Sequence, residues 1–282
     1  MEKNNEQAGT TGQNLRIEAI KIKLQNADDY TVEYRVYVQD FGWTDWRIDG
    51  EIAGTVGETK RLEAIQIRIV RKYKRNYKGI DVSQYQNSIN WRLVKEAGID
   101  FAFIRVGFRG YGQAGRFKED NMYRANMMAV RNANIKTGVY FVTQATNDAE
   151  AVEEANWVLE RVKNYKLEYP IALDIESPGK ESPTDVGRAE YLDVKTRTRL
   201  ANIFCRTIEN AGYKAMIYTN LNWANNCLNM YDLNEYDTWI AQYNNKSSTD
   251  YTENYTIWQY TSQGRVNGIF GVVDMNIGYK NY

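Results

Sequence analysis

The 282-residue sequence predicts an α/β protein, a closed or nearly closed barrel of strands and helices preceded by a small all-β module. Three observations predict it. From residue 78 onward there are eight strand-like runs, and helical stretches alternate with the first five. Between residues 15 and 70 the pattern is instead dense, short-period alternation of apolar and charged residues, punctuated by Gly and Trp turn signals. Roughly 200 residues is small for such a barrel, and the near absence of helix among the last three strands accounts for the saving.

The elements follow in order. Residues 1–14 read as a flexible tail. Leu15–Leu24 and Tyr30–Val38 alternate as half-buried strands do. Gly42-Trp43, Trp46, Asp49-Gly50 and Gly54–Gly57 mark turns between short strands, and Arg61–Ile69 closes the module. This last run repeats the first: Arg16-Ile-Glu-Ala-Ile-Lys-Ile-Lys23 against Arg61-Leu-Glu-Ala-Ile-Gln-Ile-Arg68. An internal repeat this close predicts two equivalent strand positions. Trp43 and Trp46 either fill a small core or offer stacking faces to a ligand. Residues 71–77, with Arg71, Lys72, Lys74 and Arg75, read as a basic linker.

In the larger part, Gly79–Ser83 is a short strand, Asn90–Ala97 a helix stopped by Gly98, and Phe101–Gly107 an apolar run of buried-strand type. Lys118–Ala133 reads as helix, Thr137–Thr143 as strand, and Asn147–Asn164 as helix with Asn147 as N-cap. The strand Tyr169–Glu176 precedes a polar loop with Pro178, Gly179 and Pro183, then a long helix over Ala189–Asn210. Strands Lys214–Thr219, Thr238–Tyr243, Tyr255–Tyr260 and Gly271–Asn276 complete the set.

Composition excludes much chemistry. With 36 basic and 36 acidic residues there is no electrostatic case for nucleic acid. The absence of histidine removes Ser-His-Asp, Cys-His and His-ligated zinc hydrolases. Cys205 and Cys227 read as two reduced thiols, and no metal or cofactor site is indicated. Met1–Gln13 lacks the apolar core of a Sec-type signal, so the expectation is synthesis in the cytoplasm. No stretch is long and apolar enough to span a membrane.

What remains is acids and aromatics. Asp174 and Glu176 alternate around Ile175, so on a strand they share one face. Each disfavours ionisation of the other, which leaves a poised acid beside a carboxylate, as glycosidic hydrolysis requires. In α/β barrels chemistry sits at the C-terminal strand ends. Those ends carry Asp81, Arg105, Tyr140, Asp174 with Glu176, Tyr218, Tyr243, Trp258-Gln259-Tyr260 and Asp274. Four acids, an arginine and a ring of aromatics match a polar sugar with flat apolar faces.

Seven ordered motifs carry a resemblance: Gly79-Ile-Asp-Val-Ser-Gln-Tyr-Gln86, Gly138-Val-Tyr140, Ala172-Leu-Asp-Ile-Glu176, Ile217-Tyr-Thr219, Trp239-Ile-Ala-Gln-Tyr243, Ile257-Trp-Gln-Tyr260 and Val273-Asp-Met-Asn276. From about Lys78 to the C-terminus the chain resembles glycoside hydrolase family 25, the lysozymes of phages, bacteria and some fungi. The resemblance implies a flattened, TIM-like (β/α)5(β)3 barrel. It also implies an N-acetylmuramidase cutting the β-1,4 bond between N-acetylmuramic acid and N-acetylglucosamine. Carried over by motif, Glu176 is the general acid, and Asp174 raises its proton affinity and orients the substrate's 2-acetamido group. Asp81 and Asp274 stabilise the oxocarbenium-like transition state, and retention is the expected outcome. Whether Asp274 or the acetamido oxygen attacks stays open. Tyr140, Tyr218, Tyr243, Trp258, Gln259 and Arg105 are the candidate substrate-binding residues. Phe141 stands where many members carry histidine.

The segment from Tyr34 through Trp43, Asp49–Gly57 and Arg61–Ile65 resembles the clostridial ChW repeat, a cell-surface module. The implied partner is therefore Gram-positive, clostridial peptidoglycan. A phage endolysin is the implied setting, released to the wall after synthesis, with a bacterial autolysin as the near alternative. A catalytically inactive wall-binding barrel, or a hydrolase of another N-acetylated glycan such as chitin, are the rival readings.

Overall fold

The computed structural model describes residues 8, 12–13, 15–27, 30–71, 76–177, 187–244, 246 and 248–282. The chain divides into two compact units, residues 1–74 and 75–282. Nearly all of the expected tail, the centre of the basic linker (72–75) and most of the proline loop (178–186) lie outside the described residues.

The first unit is all-β. Its strands are β1 (Ala19–Ile20), β2 (Tyr30–Val38), β3 (Gly42–Trp43), β4 (Arg47–Ile48), β5 (Ala53–Gly54) and β6 (Leu62–Arg71). β6 pairs antiparallel along the whole of β2, while β3 and β4 share the opposite edge of β2. Alternation along β2 sends Val32, Tyr34, Val36 and Val38 into a core that Ala53, Ile20, Ile22, Leu24 and Leu62 cover. The two repeat copies are not equivalent, contrary to the sequence expectation. The first forms only the two-residue β1, paired with β5, whereas the second forms the ten-residue β6. The reason is that both edges of β2 are occupied, so the first copy packs through its side chains instead of a long ladder. Nor do the tryptophans fill the core. Trp43 is exposed and Trp46 half-buried, and Arg35 stacks between them with its guanidinium carbon about 5 Å from each ring (5.0 and 4.9 Å).

The second unit begins with β7 (Tyr77–Val82), a 3-10 turn at Gln84–Gln86 and α1 (Trp91–Glu96). It continues with β8 (Phe101–Arg109), β9 (Phe117–Glu119), α2 (Tyr123–Asn132), β10 (Lys136–Val142), α3 (Asp148–Val162), β11 (Ile171–Asp174) and α4 (Val194–Asn210). β12 (Ala215–Asn220), α5 (Leu221–Asn226), β13 (Asp237–Ala241), β14 (Ile257–Gly264) and β15 (Val273–Gly278) complete it. The ladder runs β7-β8-β10-β11-β12-β13-β14-β15 and returns to β7, closing an eight-stranded barrel. Only β15 is antiparallel to its neighbours within that ring. The barrel and the small β module are as the sequence predicts. Two helix starts differ: residues 118–119, read as the start of a helix, lie in β9, a hairpin partner to the end of β8, and α4 begins at Val194 instead of Ala189. The starts of α1, α3, α4 and α5 are set by side chains, Asn90, Asn147, Asp193 and Asn220 each accepting a hydrogen bond from a backbone N–H of the first turn.

Strand alternation splits the barrel wall in two. Ile80, Ile104, Phe141, Leu173, Ile217 and Ile240 face the helices in the main core. Phe101, Phe103, Tyr169, Met216, Trp239 and Ile257 form a second cluster inside the ring. Phe101 stacks on Tyr169 at 4.6 Å and Phe103 packs tilted against Trp239 at 4.5 Å, so the barrel floor is an aromatic plug. Glycine makes the room for it. A Cβ on Gly138 would lie 2.6 Å from the Phe103 ring and 2.7 Å from the Pro170 carbonyl oxygen.

Gly138→Ala is therefore expected to cost about 1–3 kcal/mol of stability in denaturant unfolding of the full chain. Gly112→Ala, where a Cβ meets nothing within 4 Å, is expected to stay within about 0.5 kcal/mol of wild type. Equal effects of the two would contradict the plug.

Candidate active site

Above the plug, at the C-terminal ends of the parallel strands, lies a cavity of about 240 Å³. Its lining includes Asp81, Arg105, Tyr140, Asp174, Glu176, Tyr218, Trp239, Tyr243, Gln259 and Asp274. All four predicted acids therefore meet in one place, by three different routes. Asp81 sits near the end of β7, and Asp174 is the last residue of β11. Glu176 lies beyond β11, which stops at Asp174, two residues short of the predicted end. It still lines the cavity, because Ile175 N–H bonds the Tyr218 carbonyl and carries the alternation one step further. Asp274 is the second residue of β15, not a strand-end residue as the sequence suggests. It reaches the same mouth because β15 runs antiparallel, which sets Asp274 directly opposite Asp81.

Hydrogen bonds fix the acids unequally. Asp81 Oδ2 accepts from Gln259 Nε2 at 2.9 Å and from Asn276 Nδ2 at 2.8 Å. Those amides are themselves held. Gln259 Oε1 accepts from the Tyr218 hydroxyl at 3.0 Å and the Tyr243 hydroxyl at 2.7 Å, and Asn276 Oδ1 accepts from Trp239 Nε1 at 2.7 Å. Glu176 Oε2 accepts from Asn220 Nδ2 at 3.0 Å. Asp174 Oδ1 is buried with no hydrogen-bond partner among the described residues.

Burial dominates the proton affinities. It pushes Asp81 up to about 8, with repulsion from Asp274 adding to it against the two amide hydrogen bonds. Asp174 is raised well above the carboxylate range by burial and then by Glu176 and Asp81, with Arg105 opposing. Glu176 is raised by burial, lowered by the Asn220 hydrogen bond and raised again by Asp274. Asp274 is raised by burial to about 6. Four carboxylates that cannot all ionise together supply both a proton donor and anions at neutral pH.

The remaining predicted residues divide. Arg105 forms an ion pair with the buried Asp120 at 2.8 Å and also lines the cavity. Tyr140 lines the cavity edge-on to Trp239, with ring centroids 6.2 Å apart. Tyr218 and Tyr243 touch it while orienting Gln259. Trp258 does not line it. It is 2% exposed and lies in the outer core with its Nε1 on the Gln242 carbonyl, because alternation that turns Gln259 inward turns Trp258 outward. Phe141 faces outward too, against Trp157 and Phe204, so no histidine is missing from this mouth. Asn220, Trp239 and Asn276 are site residues that strand-end reading passed over. Each lies two positions from a recognised neighbour or within a quoted motif, so the period-2 rule could have found them.

A mouth of this build can protonate a departing oxygen while anions shield the cationic centre left behind, the task of glycosidic hydrolysis. The chain belongs to the glycosyl hydrolases family 25, whose family model matches residues 80–269. The Clostridial hydrophobic W repeat matches residues 1–26 and 37–71. Lysozyme M1 of Streptomyces globisporus is 28% identical over 206 residues, covering 71% of this chain and 66% of that protein. Among solved structures, the modular autolysin LytC from Streptococcus pneumoniae superposes with TM-score 0.62 at 25% identity, over 84% of this chain and 54% of that one. The bacterial lysozyme from Streptomyces coelicolor gives 0.60 at 26% identity, over 74% and 94%. The chain thus spans just under two thirds of Lysozyme M1 and about half of LytC.

The raised acids set a stability prediction. A carboxyl whose native pKa lies above its unfolded value of about 4 stabilises the fold only while protonated. Stability is then lost as pH rises from about 4 through about 8, the range of Asp81. Asp81→Asn, which keeps an oxygen for the two amides, is expected to flatten that loss. The expected gain is a few degrees of Tm at pH 8, in thermal melts at pH 5 and pH 8. A variant that melts in parallel with wild type at both pH values would contradict the assignment.

Proposed function

We propose that this chain is a peptidoglycan hydrolase that cleaves the β-1,4 bond between N-acetylmuramic acid and N-acetylglucosamine with net retention. The observation that carries the reading is the convergence of Asp81, Asp174, Glu176 and Asp274 on one cavity, with Glu176 held in a raised, protonatable state. Membership of family 25 and similarity to a lysozyme and an autolysin support it.

In this reading Glu176 donates its proton to the glycosidic oxygen. Asp174, whose Oδ1 has no hydrogen-bond partner among the described residues, is free to accept the N–H of the substrate's 2-acetamido group. That contact would align the acetamido carbonyl oxygen for attack on the anomeric carbon. Asp274, ionised above about pH 6, holds the field negative against the oxocarbenium-like transition state, while Asp81, raised by burial to about 8, faces it from a fixed position. After the leaving sugar departs, water attacks the anomeric carbon as its bond to the acetamido oxygen breaks, and the Glu176 carboxylate takes the water's proton and returns to its starting state. The N-terminal unit serves as the wall- or surface-binding module, the repeat match being to a clostridial family. An endolysin or autolysin acting on Gram-positive walls fits both units. Among the described residues no helix is long and apolar enough to cross a membrane.

The deciding experiment is product analysis on purified peptidoglycan. Muramic acid at the new reducing ends, with the β-anomer formed first by NMR, is the expected result. Intact walls releasing no reducing sugar would overturn the enzymatic reading, and activity confined to chitin would overturn the substrate. Glu176→Gln keeps shape without the proton and is expected to cost about 10²–10⁴ in kcat with an unchanged melting curve. The pH profile of kcat/KM is expected to be a bell. It should rise as Asp274 ionises around pH 6 and fall as Glu176 loses its proton on the alkaline side. Removing residues 1–76 is expected to preserve activity on soluble fragments and weaken sedimentation with whole walls.

A further inference from the structure

Glu176 lies beyond the last residue of its strand, so the ladder of β11 does not fix its carboxyl group. One residue on the neighbouring strand does. Asn220 is both the last residue of β12 and the N-cap of α5. Its Oδ1 accepts the Trp223 backbone N–H at 3.0 Å. Because the carbonyl end of the amide is committed to the cap, the NH2 end must point the other way, and it donates to Glu176 Oε2 at 3.0 Å. The cap thus sets the amide's orientation, and the amide sets the carboxyl's.

We propose that Asn220 is a positioning residue that assigns the two oxygens of Glu176 distinct roles, Oε2 as the anchored acceptor and Oε1 as the oxygen that carries and delivers the catalytic proton. This rests on Glu176 being the general acid. The chemical reason is that the hydroxyl oxygen of a carboxylic acid is a poor acceptor beside its carbonyl oxygen, so an amide donor at Oε2 leaves the proton on Oε1. On transfer, the Oε1–H bond breaks and the proton joins the glycosidic oxygen as that oxygen's bond to the anomeric carbon breaks. The negative charge left on Glu176 is stabilised at Oε2 by the same N–H. Asn220 therefore acts at both ends of the step, fixing where the proton points and favouring the carboxylate that forms.

Asp174 from β11, Asp81 from β7, Asp274 from β15, Tyr218 from β12 and Tyr243 following β13 face Glu176 and oppose its ionisation or are neutral. Arg105 from β8 lines the same cavity but pairs with Asp120 and acts on Asp174, and Glu190 and Arg197 line a neighbouring pocket that Glu176 also borders. Against that field Asn220 supplies the side-chain hydrogen bond that lowers the proton affinity of Glu176. Removing it should move the alkaline limb of activity to higher pH.

Two substitutions separate this role from helix capping, because serine and aspartate both serve as N-caps. Asn220→Ser keeps the cap and deletes the donor. Asn220→Asp keeps the cap and sets a carboxylate against Oε2. Measured as kcat/KM against pH on soluble peptidoglycan fragments, both are expected to shift the alkaline limb upward, the aspartate variant further. Both are also expected to lose about 10- to 100-fold in kcat with little change in KM and near-wild-type melting. A capping role alone predicts wild-type profiles for both, and that outcome would overturn the proposal. Wild-type protein, Glu176→Gln and Asn220→Ser are assayed together. An inert wild type or a fully active Glu176→Gln variant sinks the general-acid reading itself. A fully active Asn220→Ser with an unshifted limb sinks only the role of Asn220.

Discussion

The Asp81 carboxylate, gripped at one oxygen by two side-chain amides, ties barrel closure to the catalytic mouth. The donors come from β14 and β15 and the acceptor from β7, so the three strands that complete the ring share one polar knot. Hydrogen bonds to a charged group are each worth about 1.5–3 kcal/mol. Burying the carboxylate costs several kcal/mol, which is why its proton affinity rises despite them. The knot holds its own donors as well. Tyr218, Tyr243 and Trp239 use their polar tips to fix the amide orientations of Gln259 and Asn276.

The antiparallel β15 follows from the same arrangement. A parallel eighth strand would present its C-terminal end at the mouth and need a crossover helix to get there. Reversing it allows a direct return from β14 and delivers Asp274 from the strand's beginning, in register with Asp81. The result is two carboxylates on adjacent strands, facing a second pair on β11 and just beyond it. The aromatic plug beneath keeps water from the barrel floor, so the low dielectric that raises every carboxyl pKa in the mouth is a product of core packing.

The acids differ in how they are held, and that difference distributes their roles. Asp81 is fixed by two amides, Glu176 by one, while Asp174 has an oxygen without a partner among the described residues. A group held at one oxygen suits directed proton delivery. A group with a free oxygen suits a substrate N–H. In the smaller unit, arginine stacking plays the part that a larger core would otherwise play, since Arg35 between Trp43 and Trp46 packs indoles that the five-residue core cannot enclose.

The sequence alone determined the strand-helix rhythm, the barrel, the four acids and most of the aromatic mouth, because these depend on local periodicity and on residue type. Asp174 and Glu176 were legible as one face from their spacing. Three things were decided only by tertiary structure. The direction of β15 sets which end of the strand carries Asp274, and a strand run reads the same in either direction. The inward or outward sense of β14 sends Gln259 to the site and Trp258 away from it, and alternation gives two faces without saying which is inner. The non-equivalence of the two repeat copies comes from competition for the edges of β2, which neither copy encodes. Asp174 and Glu176, each of which disfavours ionisation of the other, are told apart the same way. Asn220, 44 residues further along the chain, reaches only one of them.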